Sequence, residues 1–390
     1  MIVIGLTGIL LSIACYWLVF PTSDQRDPWL FALILIMHLG MTLLYWQYSL
    51  SNPADSRLYY YDWVGLANRD IKAGSILLTK IISFTKSLFG GSYLDFFLFF
   101  QAFGLAGICI TLRIFIEICE DLGQRLDTTI KILLFMPGLH FWTSAIGKDA
   151  PLFFAVALSI LAMLNIERRH WMFAVALIVM LPLRPHIAAI AVIALIATLM
   201  LDRRVRASVR LPLLAIAAVG ATWIFATAQQ TLSLDEISPE SIDEFLASRQ
   251  DYGMSTGEEG ASIVSLPFPL KVASLLFRPL FFDARGLFGI VVSAENLVVL
   301  GVFSVIIFRV KDASALFRSL PFFRYSCIFS GITIVLLSLV TYNVGLGLRQ
   351  KFMTMPAVLV IFVSLIAYRR TAASMRAAVG SAPGQLSSPL

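Results

Sequence analysis

Residues 93–117 read YLDFFLFFQAFGLAGICITLRIFIE, and residues 286–309 read GLFGIVVSAENLVVLGVFSVIIFR. Each is apolar for at least the roughly 20 residues that a helix needs to cross a bilayer. Further apolar runs fall at about 2–20, 29–48, 128–145, 150–165, 170–183, 185–201, 210–228, 324–342 and 352–368. Together they predict an all-α, polytopic membrane helix bundle of about eleven transmembrane helices. The pair around Pro182 and Pro185 is short, and reads either as one broken helix or as two tilted ones.

The composition agrees. Of 390 residues, 58% are hydrophobic and only 14% charged, where soluble domains run nearer a quarter charged. Mean hydropathy is +0.84. These values exclude an ordinary cytosolic enzyme, a disordered chain and a nucleic-acid-binding module. The net charge of +6 then reads as the positive-inside bias of membrane proteins, plus whatever acidic ligand the remaining cations serve. Cys15, Cys109, Cys119 and Cys327 sit in or beside apolar runs without metal-ligand spacing, and read as packing residues. No basic segment precedes the first apolar run, so that run is expected to be a retained span.

Arginine and lysine in the short loops set the orientation. Arg168-Arg169, the group Arg203, Arg204, Arg206 and Arg210, the group Arg309, Lys311, Arg318 and Arg324, and Arg369-Arg370 with Arg376 form four clusters. Two spans separate each neighbouring pair, so all four fit the cytoplasm. The C-terminus is then inside and the N-terminus outside. Residues 1–370 form the transmembrane domain, and 371–390 read as a disordered cytoplasmic tail. Two long outer loops result. In the first, 51–92, the segments Trp63 to Asn68 and Ile76 to Leu88 are expected to be amphipathic interfacial helices. The second, 229–285, is acidic from Asp235 to Glu259, then returns to the membrane as a re-entrant or interfacial segment from Leu266 to Phe282.

The cytoplasmic charges are loose arginine clusters that orientation alone explains. The outer charges come singly, beside Pro, Gly, Trp or Tyr, at span ends. They are Asp55, Lys148, Asp149, Arg184, Arg278, Arg349 and Lys351, with His186 beside Arg184 and Glu295 inside a span. Several cations with a few carboxylates at the outer boundary of a bundle suit a lipid-linked phosphate or pyrophosphate. Arginine makes forked, charge-assisted hydrogen bonds to phosphate and stabilises a departing phosphate. A carboxylate such as Asp55 takes the proton of an attacking hydroxyl. Plainer readings stand beside these. Arg57, Lys72, Lys80 and Lys86 read as snorkelling to headgroups. Lys148-Asp149 reads equally as a local pair capping a helix that contains Pro151. Asp62 and Asp95 read as caps or as catalysts. His38 and His140 read as packed span residues.

The layout resembles polytopic glycosyltransferases of GT-C type that use polyprenyl-linked donors, and the related Wzy/EpsG-like polysaccharide polymerases. The residues that carry the resemblance are Asp55-Ser56-Arg57-Leu58-Tyr59-Tyr60 followed by Leu88 to Ser92, Pro137 to Asp149 with Trp142 and Ser144, the dipeptides Arg184-Pro185 and Arg278-Pro279, and the run Gly345, Gly347, Arg349, Lys351, Pro356. The resemblance implies a base or metal partner at Asp55, with Asp62 second. It implies pyrophosphate-binding arginines at Arg184, Arg278 and Arg349. Asp55 follows the second span, not the first, and no paired Asp-Asp or Glu-x-Asp stands in its loop. A divalent cation is therefore left open, and no other cofactor is implied. Gly147-Lys148-Asp149 stands where the polymerases favour an Ile-Arg-Gln motif.

We therefore expect a multi-pass protein of the cell (inner) membrane with an extracytoplasmic functional face. It would transfer a sugar or glycan from a polyprenyl-linked carrier to a hydroxyl acceptor, with a lean toward polymerisation. Asp55 would be the base. Lys148, Asp149, Arg184, His186, Arg278, Arg349 and Lys351 would hold substrate, and Glu295 would orient the acceptor or a cation. Partners would be the polyprenyl-linked sugar or glycan, membrane lipid and other polysaccharide-assembly proteins. The alternative is a transporter or flippase, for which Glu295 is the main feature, against the absent internal repeat.

Overall fold

The computed structural model describes residues 3–61, 73–202, 265–284, 286–341 and 343–380, with isolated positions between 208 and 263. Among these residues every element is a helix. The first ten are α1 (Val3–Val19), α2 (Pro28–Ser51), α3 (Asp55–Tyr60), α4 (Ala73–Phe89), α5 (Tyr93–Asp121), α6 (Thr128–Ile132), α7 (Pro137–Thr143), α8 (Asp149–Leu164), α9 (Ile166–Leu183) and α10 (Pro185–Leu201). After them come α11 (Phe268–Phe277), α12 (Gly286–Phe308), α13 (Val310–Ser319), α14 (Pro321–Val340), α15 (Val344–Lys351) and α16 (Met355–Gly380). Helices α2, α5, α12, α14 and α16 are long and apolar enough to cross a membrane, and α1, α8, α10 and α11 are shorter apolar helices. Water cannot satisfy backbone groups in hydrocarbon, so a helix is the form in which such segments cross.

The helices begin where local chemistry allows. Asp27 Oδ1 accepts the Leu30 N–H at 3.0 Å to cap α2, with Pro28 in the first turn. Ser92 and Asp95 form a reciprocal capping box at the start of α5, so Asp95 is a cap. The outer faces are apolar: Leu18, Trp29, Leu287 and Phe308 are all about four-fifths exposed. Apolar surface on this scale suits lipid, not water.

The central element is α5, packed between α1 and α8. Two glycines let backbones meet. A Cβ on Gly8 would stand 2.0 Å from the Leu98 carbonyl oxygen, and one on Gly104 would stand 2.1 Å from the Thr143 carbonyl oxygen. Small residues at helix crossings are how membrane helices approach closely. At one end of the bundle Lys131 pairs with Asp27 at 3.0 Å, Arg169 with Glu117 at 2.7 Å, and Arg370 with Asp127 at 2.5 Å. At the other end lie the tail of α2, the starts of α8 and α10, and α15.

Several expectations change. The run 128–145 is not one span. It divides into α6, a 3-10 turn (Leu133–Phe135) and α7, followed by bends to Lys148. Pro137 has no N–H to continue a helix, and the Gly138 N–H points instead to Glu295. The prolines near Arg184 separate two helices, α9 and α10, with Arg184 itself non-helical at φ −146°, ψ 85°. The expected interfacial helix over 76–88 lies within α4. The segment 266–282 contains α11, whose Ser274, Leu275 and Leu276 are buried. The tail expected to be disordered from Thr371 is helical to Gly380. Its alanines favour helix, and Thr371 Oγ1 bonds the Leu122 carbonyl at 2.6 Å. Apart from the isolated positions noted above, the run 210–228 and the acidic stretch Asp235 to Glu259 lie outside the described residues, as do Arg203, Arg204, Arg206, Arg210, Asp62 to Lys72, Arg285 and residues 381–390.

Gly104→Ala is expected to lower stability in detergent by at least about 1–3 kcal/mol, because the new methyl meets backbone. Gly40→Ala meets no neighbouring atom and is expected to leave stability unchanged or raise it by up to about 1 kcal/mol, because alanine favours helix. Thermal or denaturant unfolding of both variants checks the contrast.

Candidate functional site

Asp55 opens α3, just past the Asn52-Pro53 break that ends α2. Asp149 opens α8, and Lys148 precedes it. Arg184 is the residue between α9 and α10. Arg349 lies on α15, which Asn343 caps by accepting the Leu346 N–H at 2.7 Å. Each break in helix therefore delivers one side chain to the same end of the bundle.

These four side chains meet. Arg349 Nε donates to Asp149 Oδ2, and its Nη1 donates to Asp55 Oδ2 at 2.5 Å. Arg184 Nη2 donates to the other oxygen of Asp149 at 2.9 Å. The Asp149 side chain is 7% exposed and that of Asp55 46%. Asp149 thus acts as the buried brace of two guanidiniums, while Asp55 is the open carboxylate. Burial works against the Arg349 charge, but Asp149 and Asp55 outweigh it and hold the guanidinium more firmly protonated than usual. Tyr45 and Tyr59 act electrostatically on the same three groups. Gly147 leaves the space beside Arg349 Nη2 and the Tyr59 ring unfilled. Among the described residues the buried Arg184 Nε has no hydrogen-bond partner. Lys148 is buried and adds a third positive charge that acts on Asp149.

A second group lies deeper. Both oxygens of Glu295, on α12, accept the Gly138 N–H, at 3.0 and 2.9 Å. Lys351 acts electrostatically on Glu295. Its Nζ donates to Asn296 Oδ1 and to the Leu276 carbonyl, the latter at 3.2 Å. Glu295 forms part of the wall of a cavity of about 310 Å³, otherwise lined mainly by apolar and aromatic groups such as Leu44, Tyr48, Trp142, Val291, Leu348 and Phe352. Leu348 in that wall and Arg349 in the charged cluster are consecutive residues of α15.

The remaining predicted residues are elsewhere. Arg278 pairs with Asp283 of its own loop at 2.9 Å and does not touch the cluster. It lines a separate, open cavity with Val344 and Gly345. His186 is exposed in the first turn of α10. Among the described residues no three His, Cys, Asp or Glu side chains gather as a metal site. Sequence reasoning missed Tyr45, Asn296 and Gly138, while Tyr59 stood in the motif quoted after Asp55. Asn296 had a signal, a second polar residue beside Glu295 inside an apolar run. Gly138 acts through its backbone and had none.

No protein-family model, curated protein or solved structure matches the chain.

Asp149→Asn is expected to cost about 3–5 kcal/mol of stability, because it takes the carboxylate from Arg184 and leaves Arg349 with Asp55 alone. Asp312→Asn breaks the more exposed pair with Arg369 and is expected to cost at most about 1 kcal/mol. Unfolding midpoints of the two variants in one detergent check the difference.

Proposed function

We propose that this protein is an integral membrane glycosyl-transferring protein of cell-envelope polysaccharide assembly. It moves a sugar or growing glycan from a polyprenyl phosphate or pyrophosphate to a hydroxyl acceptor, polymerisation being the favoured form. The observation that carries this reading is the meeting of Asp55, Asp149, Arg184 and Arg349 beside an apolar cavity. An amphiphile with an anionic head and a hydrocarbon tail needs that combination. In this reading the cluster faces the extracytoplasmic side of the cell membrane, and other assembly proteins supply or receive the glycan.

The chemistry follows from the pairing. With no ligand, Arg349 holds Asp55. A phosphate offers Arg349 a more highly charged partner, and Arg349 turns to it while Asp149 keeps the arginine in place. Asp55 is then free to accept a proton. The acceptor oxygen forms a bond to the anomeric carbon, and the bond from that carbon to the phosphate oxygen breaks. Its electron pair leaves with the phosphate, which Arg349, Arg184 and Lys148 stabilise. The hydroxyl proton goes to Asp55.

A transporter or flippase is the second reading. Glu295 favours it, as a buried carboxylate within α12 on the wall of the cavity; such residues mark substrate or ion paths by default.

The test is the lipid-linked glycan profile of cells lacking the protein, complemented with wild type, Asp55→Asn or Arg349→Ala at equal expression. Loss of long polymer, unrestored by either variant, is expected, with transfer by Asp55→Asn down by about 10²-fold or more. Accumulated single repeat units indicate polymerisation, and units short of one sugar indicate monosaccharide transfer. An unchanged profile overturns the transfer reading. Substrate movement across vesicles that stops in Glu295→Gln but persists in Asp55→Asn favours transport instead.

A further inference from the structure

Two histidines lie side by side in the interior of the bundle, away from the charged cluster. His38 is on α2 and His140 on α7, and both are fully buried. Their Nδ1 atoms are 3.1 Å apart. Their outer nitrogens both face backbone carbonyls: His38 Nε2 lies 3.0 Å from the Gln101 oxygen, and His140 Nε2 lies 2.7 Å from the Leu134 oxygen.

A carbonyl oxygen only accepts, so each Nε2 must carry a hydrogen. For His140 the requirement is strict. Pro137 has no N–H to give the Leu134 carbonyl, and the Gly138 N–H is taken by Glu295. The His140 ring is therefore the donor that satisfies that buried oxygen. A neutral imidazole carries one hydrogen. If both rings were neutral, both hydrogens would sit on Nε2, and two Nδ1 lone pairs would face each other at 3.1 Å. Moving the His38 hydrogen to Nδ1 removes that clash but sets its bare Nε2 against the Gln101 oxygen. Two neutral rings do not satisfy the geometry in either arrangement.

We propose that His38 and His140 form a proton-binding site, holding one proton more than two neutral rings, as an imidazole–imidazolium pair with an Nδ1–H···Nδ1 hydrogen bond. The extra proton sits between the two Nδ1 atoms and belongs formally to either ring. Two opposed imidazole nitrogens with their outer N–H groups on carbonyls are also a metal-like arrangement. At 3.1 Å the separation is a hydrogen-bond length, and among the described residues no third His, Cys, Asp or Glu joins the pair to make the three or four ligands of a usual metal site.

Burial opposes a charge here. The Gln101 and Leu134 carbonyl dipoles oppose that penalty, while charge on one ring works against charge on the other, so the pair holds one extra proton and not two. The wider surroundings are polar but uncharged: Gln101 Nε2 donates to Ser12 Oγ at 2.8 Å, and both side chains are buried. The proton is thus a cation that ties α2 to α7. Because α7 also presents the Gly138 N–H to Glu295, the same proton bears on how the cavity wall is held.

The test is solid-state NMR of the full chain in lipid bilayers at neutral pH, with ¹⁵N-labelled histidine. The double variant His170→Gln, His186→Gln removes the two exposed histidines and leaves only the pair. Protonated and bare ring nitrogens resonate in separate regions, so the four nitrogens can be counted. Three protonated and one bare, with coupling across an N–H···N bond, is the expected result. Two protonated and two bare overturns the proposal in favour of neutral rings. Two bare nitrogens both shifted, with stoichiometric metal by mass spectrometry, overturns it in favour of a metal. His38→Phe is expected to return His140 to a neutral ring with one protonated nitrogen. Because the count is made without altering the pair, the test stands even if that variant fails to fold.

Discussion

Arg349 donates to two carboxylates that are 94 residues apart in the chain, Asp55 and Asp149, and Asp149 in turn holds Arg184. A buried guanidinium without partners is too costly to keep, so this bridge constrains every element that feeds it. The end of α2 must turn to place Asp55. The chain after α7 must bend to place Asp149 at the first turn of α8. The chain between α9 and α10 must leave the helix at Arg184. Short α15 must hold Arg349 in register, which the Asn343 cap does. Remove the bridge and those four breaks have no common purpose.

The second constraint is the interruption at Pro137. A continuous helix through 128–145 would have satisfied its own backbone. Instead the Gly138 N–H serves Glu295 and the Leu134 carbonyl serves His140. Side chains from α12 and from α7 itself take over the work that intrahelical bonds would do. Both are polar residues inside apolar segments, and each is accounted for by a backbone group that the proline set free. The same interruption opens the space lined by Leu44, Trp142 and Phe352. The apolar cavity and the buried polar groups thus have one local cause.

Much of this was legible residue by residue. Lys148-Asp149 was read both as a site pair and as a helix start, and α8 does begin at Asp149 while its carboxylate braces two arginines. Arg184 between prolines was read as singular, and it is the residue that separates two helices. Arg278-Pro279 carried the same signal but pairs with nearby Asp283, because a dipeptide pattern says nothing of which carboxylate lies within reach. His38 and His140 looked like packing residues one at a time. Their meaning lies in their pairing, which no spacing along the chain announces.

The sequence by itself determined the all-α membrane class, the break at Arg184 and the short list of singular charged residues, but not the break at Pro137. Those properties depend on local hydropathy, on proline chemistry and on the cost of placing charge in lipid, all of which act within a few residues. Which charges meet, that Asp149 is enclosed while Asp55 stays open, and that two histidines face each other were decided only by tertiary structure. Helices are nearly uniform cylinders, and their order around a bundle is set by side-chain packing and close glycine crossings between segments far apart in the chain.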